Sequence, residues 1–311
     1  MEGNQSSTTF LLLGFGSSLK LRILLFLLFL LIYVLSVFGN LLVVLLVLVE
    51  RRLHTSMYFF LLNLSFLEAC YTSAILPRML FSFLTGDRTI FIKGCFTQYY
   101  FFGFYAATEC YLLAMMSYDR YLAICKPLHY TFLMNGRLCL QLVLISWMCG
   151  LLTNTIITSF MLKLTFCGPN EIDHFFCDVY PVVKLSCSNT HLVKLATFIL
   201  ALMGTCPPFL LTLSSYVCIL LTVLQFKSKI AHQKVFSTCS SHLIVVTFFY
   251  APLFLVYVIP ETEALEELHK TFSIFYTALT PMLNPLIYSL RNREVKEAFF
   301  RLARKHSSRI S

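Results

Sequence analysis

The chain has 311 residues, of which 58% are apolar and 13% charged, and its mean hydropathy is +0.77. Soluble chains carry about a quarter charged residues, so this composition excludes an ordinary soluble enzyme and points to a protein immersed in lipid. The formal net charge of +9 would suit a nucleic acid or a membrane, and its distribution along the chain decides between them.

The first 22 residues lack the short apolar core and small-residue cleavage site of a signal peptide, so the first span is expected to act as its own insertion signal. Asn4-Gln5-Ser6 is a glycosylation sequon. Seven apolar runs bounded by charge follow: Ile23 to Val49, Met57 to Leu84, Cys95 to Ile124, Cys139 to Leu162, Lys194 to Leu224, Val235 to Ile259 and Thr271 to Leu290. A transmembrane helix needs about 20 residues, and none of the runs alternates as a barrel strand would. Lipid leaves backbone polar groups without partners, so each run is read as a helix. A second sequon, Asn63-Leu64-Ser65, falls inside the second run and is expected to be unusable. The expected fold is an all-α membrane protein, a seven-transmembrane helix bundle in one domain over 1–311. It has an N-terminal segment (1–22), a bundle (23–290) and a short amphipathic cytoplasmic helix with a tail (291–311). No room is left for a separate catalytic domain.

Sorted by side, fifteen Lys and Arg fall on one face, among them Arg51, Arg52, Lys126, Lys227 and the tail from Arg291 to Arg309, and nine fall on the other. The richer side is read as cytoplasmic, with the N-terminus outside. Four acidic residues lie inside, nine outside, and Glu68 and Glu109 within spans, giving +11 inside, 0 outside and −2 in the membrane. The basic excess is thus a topology signal, and nucleic acid is not an expected partner.

Of the twelve cysteines, Cys70, Cys110, Cys139, Cys149, Cys206, Cys218 and Cys239 fall in spans as small apolar residues. Cys125 lies at the reducing cytoplasmic end of span three. Cys95, Cys167, Cys177 and Cys187 lie outside and allow three pairings, among which the residues alone do not choose. His174 and Cys177, spaced H-x-x-C, offer a weak metal reading, since a bridged Cys177 has no thiolate to give.

Ionisable groups inside a span are costly and usually functional. If the faces bearing Glu68 and Glu109 converge, the carboxylates share either a proton or a cation such as sodium. Asn40 and Asn284 stand near enough in depth to complete a polar cluster, while separate hydrogen bonding of each group is the plain alternative. Asp119-Arg120-Tyr121 ends span three as an acid–base pair whose Arg, once released, would offer charge to a cytoplasmic partner. Pro281 and Pro285 mark a kink in span seven, and no lysine lies between Thr271 and Leu290, which speaks against a retinal linkage there. After Leu290, Val295, Phe299 and Leu302 recur at helical spacing among Arg293, Lys296, Arg301, Arg304 and Lys305, as in an amphipathic helix on membrane lipid.

These features together resemble the rhodopsin-like (class A) G-protein-coupled receptors, and within them the odorant receptors. The resemblance rests on LHTSMYFFLLNLSFLEACYTS (Leu53 to Ser73), MMSYDRYLAICKPLHY (Met115 to Tyr130), KVFSTCSSHL (Lys234 to Leu243) and PMLNPLIYSLRN (Pro281 to Asn292), and covers essentially the whole chain. It implies disulfides Cys95–Cys177 and Cys167–Cys187, an intramembrane acidic site at Glu68 and Glu109, and a G-protein switch at Asp119, Arg120, Tyr121, Tyr216, Asn284 and Tyr288. It also implies a plasma-membrane location and coupling to the stimulatory olfactory G protein, with a rise in cyclic AMP. Ser56 stands where the family usually has proline, Glu68 where aspartate is commoner, and Tyr250 where many non-odorant members have tryptophan.

Gly103, Ala106, Ala107 and Cys110 form a stripe of small side chains on helix three. Such a stripe either opens a cavity or packs another helix closely, as Gly103-x-x-x-Ala107 would. The resemblance favours a cavity for a small volatile ligand, lined also by Phe102, Leu200, Gly204, Tyr250, Leu253, Phe254, Tyr257 and Thr277. Glu261, Glu263, Glu266 and Glu267 form an acidic run before span seven, read either as an attractor of cationic ligands or as a solvated face. The competing functions are a non-olfactory chemosensory receptor, a small transporter and an intramembrane enzyme. A transporter predicts internal repeats and a charged path, neither of which is visible. An enzyme wants a nucleophile and base, and His242, the sole span histidine, has no evident partner.

Overall fold

A computed structural model describes residues 8–16, 18–167, 169–225, 229–259, 266–291 and 293–310. Asn4, Glu261 and Glu263 lie outside the described residues. The chain forms long helices α1 (Leu19–Val49), α2 (Ser56–Thr85), α3 (Ile92–Cys125), α5 (Gly136–Met161), α7 (His191–Leu224) and α8 (Lys229–Tyr257). The seventh bundle helix is broken into α9 (Glu266–Ile274), a π turn (Phe275–Leu279) and α10 (Thr280–Arg291), and α11 (Arg293–Ile310) follows it. Short helices α4 (Pro127–Leu133) and α6 (Val179–Lys184) lie in the connections.

Each helix starts ahead of its apolar run, α1 at Leu19, α8 at Lys229 and α9 at Glu266. The first charge in a sequence marks where the hydrocarbon ends, whereas a backbone ladder continues into the polar interface until a cap stops it. Asn135 provides such a cap for α5, its side-chain oxygen accepting from the Leu138 amide at 2.9 Å. Gly86 ends α2 with φ of +82°, a left-handed conformation that glycine adopts without strain.

The least apolar of the long helices occupies the centre. α3 packs against α2, α5, α7 and α8, so neighbouring helices rather than lipid cover its polar side chains. By length and composition alone, α1, α2, α5, α7 and the Cys239–Tyr257 part of α8 qualify as membrane-crossing helices. The remaining two sequence runs are α3, diluted by Glu109, Asp119 and Arg120, and the broken seventh helix. Exposed Leu, Ile and Val side chains along α1, α5 and α7 form the outer skin of the bundle.

One face of the bundle is closed by a small sheet that the sequence patterning did not reveal. β1 (Thr9–Leu12) lies between β2 (Thr89–Phe91) and β3 (Glu171–Ile172), antiparallel to the first with Phe10 opposite Ile90, and parallel to the second with Leu12 opposite Ile172. The inward-facing Phe10 and Ile172 are buried. Disulfides Cys95–Cys177 and Cys167–Cys187, with Cα separations of 5.4 and 5.9 Å, tie the loop between α5 and α7 to the top of α3 and to itself.

Candidate functional site

Beneath this cap, between α3, α5, α7 and α8, lies a cavity of about 90 Å³. Nine residues of the sequence-derived ligand set line it: Phe102, Gly103, Ala106, Ala107 and Cys110 from α3, Leu200 and Gly204 from α7, and Leu253 and Tyr257 from α8. The small stripe therefore does face open space, and a Cβ on Gly204 would meet nothing within 4 Å. The close-packing alternative also holds in part. A Cβ on Gly103 would run into the Asn154 side chain, and Asn154 Nδ2 donates to the Tyr100 carbonyl at 2.5 Å.

Three members of the set stand elsewhere. Tyr250 donates its hydroxyl to the Cys110 carbonyl at 2.7 Å, so it braces the cavity from outside its lining. Phe254 turns to α7, where its ring meets Phe209 edge-on at 5.0 Å. Thr277 sits in the π turn and spends its hydroxyl on the Ser273 carbonyl at 2.6 Å. Conversely, Thr153, Asn154 and Ile157 of α5 line the cavity without having been anticipated. Their signal was the small stripe itself, which brings whichever helix it faces into contact.

The roof is polar and held by defined bonds. Tyr257 donates to Asp178 Oδ2 at 2.7 Å, and Asp178 Oδ1 accepts the Val179 amide at 2.7 Å, capping α6. Lys270 of α9 meets Asp173 at 2.6 Å. His174 is buried between Phe175 and Phe176. Burial first, and the Lys270 charge second, push its imidazole down to about 3. With Cys177 in a disulfide, the H-x-x-C spacing holds no metal pair, and no group of three or more His, Cys, Asp or Glu placed to hold a metal ion occurs among the described residues.

Midway down the bundle, Asn284 Nδ2 donates to Glu68 Oε1, and Asn40 Nδ2 donates to the Pro281 carbonyl at 2.9 Å. Glu109 lies close enough for the two carboxylates to feel each other's charge. Glu68 Oε2, both Glu109 carboxylate oxygens, Asn40 Oδ1 and Asn284 Oδ1 are buried without a hydrogen-bond partner among the described residues. Oxygen donors of this kind suit a hard cation. The π turn just above this cluster precedes Pro281, which has no amide hydrogen to bond back along the helix.

At the opposite end from the sheet, Arg120 meets Asp119 at 2.6 Å, and Tyr130 donates to the other carboxylate oxygen at 2.8 Å. Burial and the Asp119 charge push the Tyr130 phenol up to about 12. Ser56 donates to the Met134 carbonyl at 3.2 Å and so ties α2 to the turn after α4. Tyr121 packs against Tyr216 and Cys239. The hydroxyl of Tyr216 stands 2.6 Å from His242 Nδ1, which supplies the histidine with the partner that sequence reasoning did not find. His242 Nε2 and the buried Tyr288 hydroxyl have no hydrogen-bond partner among the described residues.

Residues 29–305 match a protein-family model described as "Olfactory receptor". The chain is 46% identical to human Olfactory receptor 11L1 over 304 residues, 98% of this chain and 94% of that protein. It is 48% identical to human Olfactory receptor 6B1 over 309 residues, 99% of both, and 45% identical to mouse Olfactory receptor 5AP2 over 94% of this chain and 92% of that one. Among solved structures, squid rhodopsin superposes with a TM-score of 0.72 at 18% identity, covering 91% of this chain and 85% of that one. At that identity the likeness concerns the fold.

Proposed function

This chain belongs to the olfactory receptor family, and from that premise we propose that it is a plasma-membrane odorant receptor that couples to the stimulatory olfactory G protein and raises cyclic AMP. The family consists of multi-pass membrane receptors rather than enzymes. Its ligand, in this reading, is a small, largely apolar volatile held in the cavity beneath the sheet. The orientation is N-terminus outside, supported by fifteen Lys and Arg on one face against nine on the other.

The observation that carries the mechanism is the Tyr250 hydrogen bond to the carbonyl of Cys110. Cys110 lines the cavity, as does Leu253 one turn further along α8. The same helix carries His242, bonded to Tyr216 of α7 and situated about 12 Å further inward at 1.5 Å per residue. A ligand that shifts Cys110 or Leu253 thus acts on the helix whose inner end holds Tyr216, close to Arg120. In this reading odorant binding favours one of two helix arrangements, and the inner one frees Arg120 from Asp119 for the G protein.

Ligand pockets ordinarily measure about 300–1,000 Å³, so a cavity of about 90 Å³ belongs to a contracted arrangement that expands around its ligand. Glu68, Glu109, Asn40 and Asn284 would hold a sodium ion, which when bound supplies the positive charge that two carboxylates in low dielectric require. A shared proton would meet the same requirement. The decisive experiment is an odorant panel read by cyclic AMP in cells expressing the chain, repeated with Arg120→Ala. Ligand responses are expected to vanish in the variant at equal surface expression. Undiminished responses would remove the assigned switch.

A further inference from the structure

A second cavity, of about 450 Å³, lies on the outside of the bundle in the cleft between α1, α10 and α11. We propose that this cleft is a binding site for one anionic phospholipid of the cytoplasmic leaflet, with an acyl chain along α1 and the headgroup phosphate at Lys296.

The walls are Phe38, Leu42 and Leu46 of α1, Pro285 of α10, and Phe299 of α11, and among the described residues Lys296 is the one charged side chain of the lining. The α1 wall runs from Leu35 to Leu46, about 16 Å at 1.5 Å per residue, a length that suits an extended acyl chain rather than a compact solute. Within it α1 and α10 touch: a Cβ on Gly39 would lie 3.0 Å from Pro285 Cγ. From there α11 departs from the bundle, held by Val295 and Ala298, both buried, while Phe299 remains 43% exposed on the cleft side.

The electrostatics select the headgroup. Glu50, at the end of α1, is matched by Arg301, with Nε 3.5 Å from the carboxylate. Glu294 accepts from the Tyr58 hydroxyl at 2.7 Å. Among the described residues no carboxylate lies within ion-pair distance of Lys296. An ammonium at the mouth of an apolar cleft calls for a ligand with a long apolar tail and a net negative head, which describes an anionic phospholipid. A sterol has no such charge, and in phosphatidylcholine the choline offsets the phosphate. The assignment to the cytoplasmic leaflet rests on the orientation given under Proposed function.

The test uses the purified full chain in nanodiscs of phosphatidylcholine doped with a phospholipid carrying an acyl-chain diazirine, in either phosphatidylglycerol or phosphatidylcholine form. After photolysis, crosslinks are mapped by mass spectrometry. The phosphatidylglycerol probe is expected to label residues 35–46 and 295–300 about fivefold above the phosphatidylcholine probe, the factor that corresponds to about 1 kcal/mol for one basic residue near a membrane surface. Lys296→Gln is expected to bring the ratio to about one and Lys296→Arg to preserve it, while Leu42→Trp, which fills the cleft, is expected to reduce labelling by both probes. Equal labelling by the two probes in the parent, an unchanged ratio in Lys296→Gln, or displacement of both by a sterol would overturn the proposal. Nanodiscs present both headgroups to both faces, so this result is independent of orientation. Accessibility of an N-terminal tag on intact cells tests the orientation separately.

Discussion

Gly204 and Gly150 make a matched pair of perturbations whose outcomes the structure sets in opposite directions. A methyl group displaces roughly the volume of a water molecule, about 30 Å³, which is about a third of the 90 Å³ cavity. At Gly204 that methyl enters open space. Removing a helix-interior glycine stabilises the fold by about 0.5–1 kcal/mol, while the ligand meets an overpacked site costing about 1–3 kcal/mol, or about 5- to 150-fold in affinity. At Gly150 the same methyl lies 2.8 Å from the Phe104 carbonyl oxygen and 2.9 Å from the Thr108 amide nitrogen. Both are backbone atoms of α3, so α3 and α5 have to separate, and overpacking by about 1–3 kcal/mol exceeds the gain in helix propensity. Thermal unfolding of the purified variants and odorant dose–response curves at matched surface expression measure the two effects. Gly204→Ala is expected to melt at or above the parent temperature with responses shifted to higher concentration. Gly150→Ala is expected to melt lower. A Gly204→Ala receptor with unshifted curves for every active odorant, or a Gly150→Ala receptor as stable as the parent, would refute the geometry.

Two further outcomes concern titratable groups. His174 is buried neutral with its pKa near 3, against about 6.5 in an unfolded chain. The open loop therefore takes up a proton that the closed loop does not, and closure weakens as pH falls below 6.5, by about 2 kcal/mol at pH 5. Hydrogen exchange over residues 170–178, corrected for intrinsic rates, is expected to show about 16-fold less protection at pH 5 than at pH 6.5, and His174→Gln is expected to abolish the difference. For the carboxylate pair, odorant responses titrated against sodium and pH are expected to lose that dependence in Glu68→Gln, and an unaltered dependence would dismiss a shared site.

The sequence located the helices better than it located their neighbours. Apolar runs bounded by charge reveal each span because lipid demands it. The stripe from Gly103 to Cys110 suits either a cavity or close helix packing, and the resemblance favours the cavity. It did not reveal which helix lies opposite, so Asn154 and Ile157 went unanticipated. Phe254 and Thr277 enter the ligand set through the resemblance, yet their rotation about the helix axis turns them to Phe209 and to the helix's own backbone. His242 had no visible partner because Tyr216 is 26 residues away on another helix. The strand from Thr9 to Leu12 was hidden for another reason. Four residues at a sheet centre need no periodic pattern, and their pairing is decided by loops distant in the chain.

That strand has a consequence for biogenesis. Leu11 pairs with Glu171 across 160 residues, and Phe10 pairs with Ile90. The earliest-made element of the cap therefore waits for partners synthesised after the second and fourth membrane helices. Closure requires all three segments on the same side of the bilayer, so a nascent chain with one helix inserted the wrong way round leaves Phe10 uncovered and an unpaired strand edge in water. Such an edge invites aggregation and retention. The sheet over the cavity is thus also a record of correct insertion, completed only by chains whose first four crossings have each turned in the proper sense.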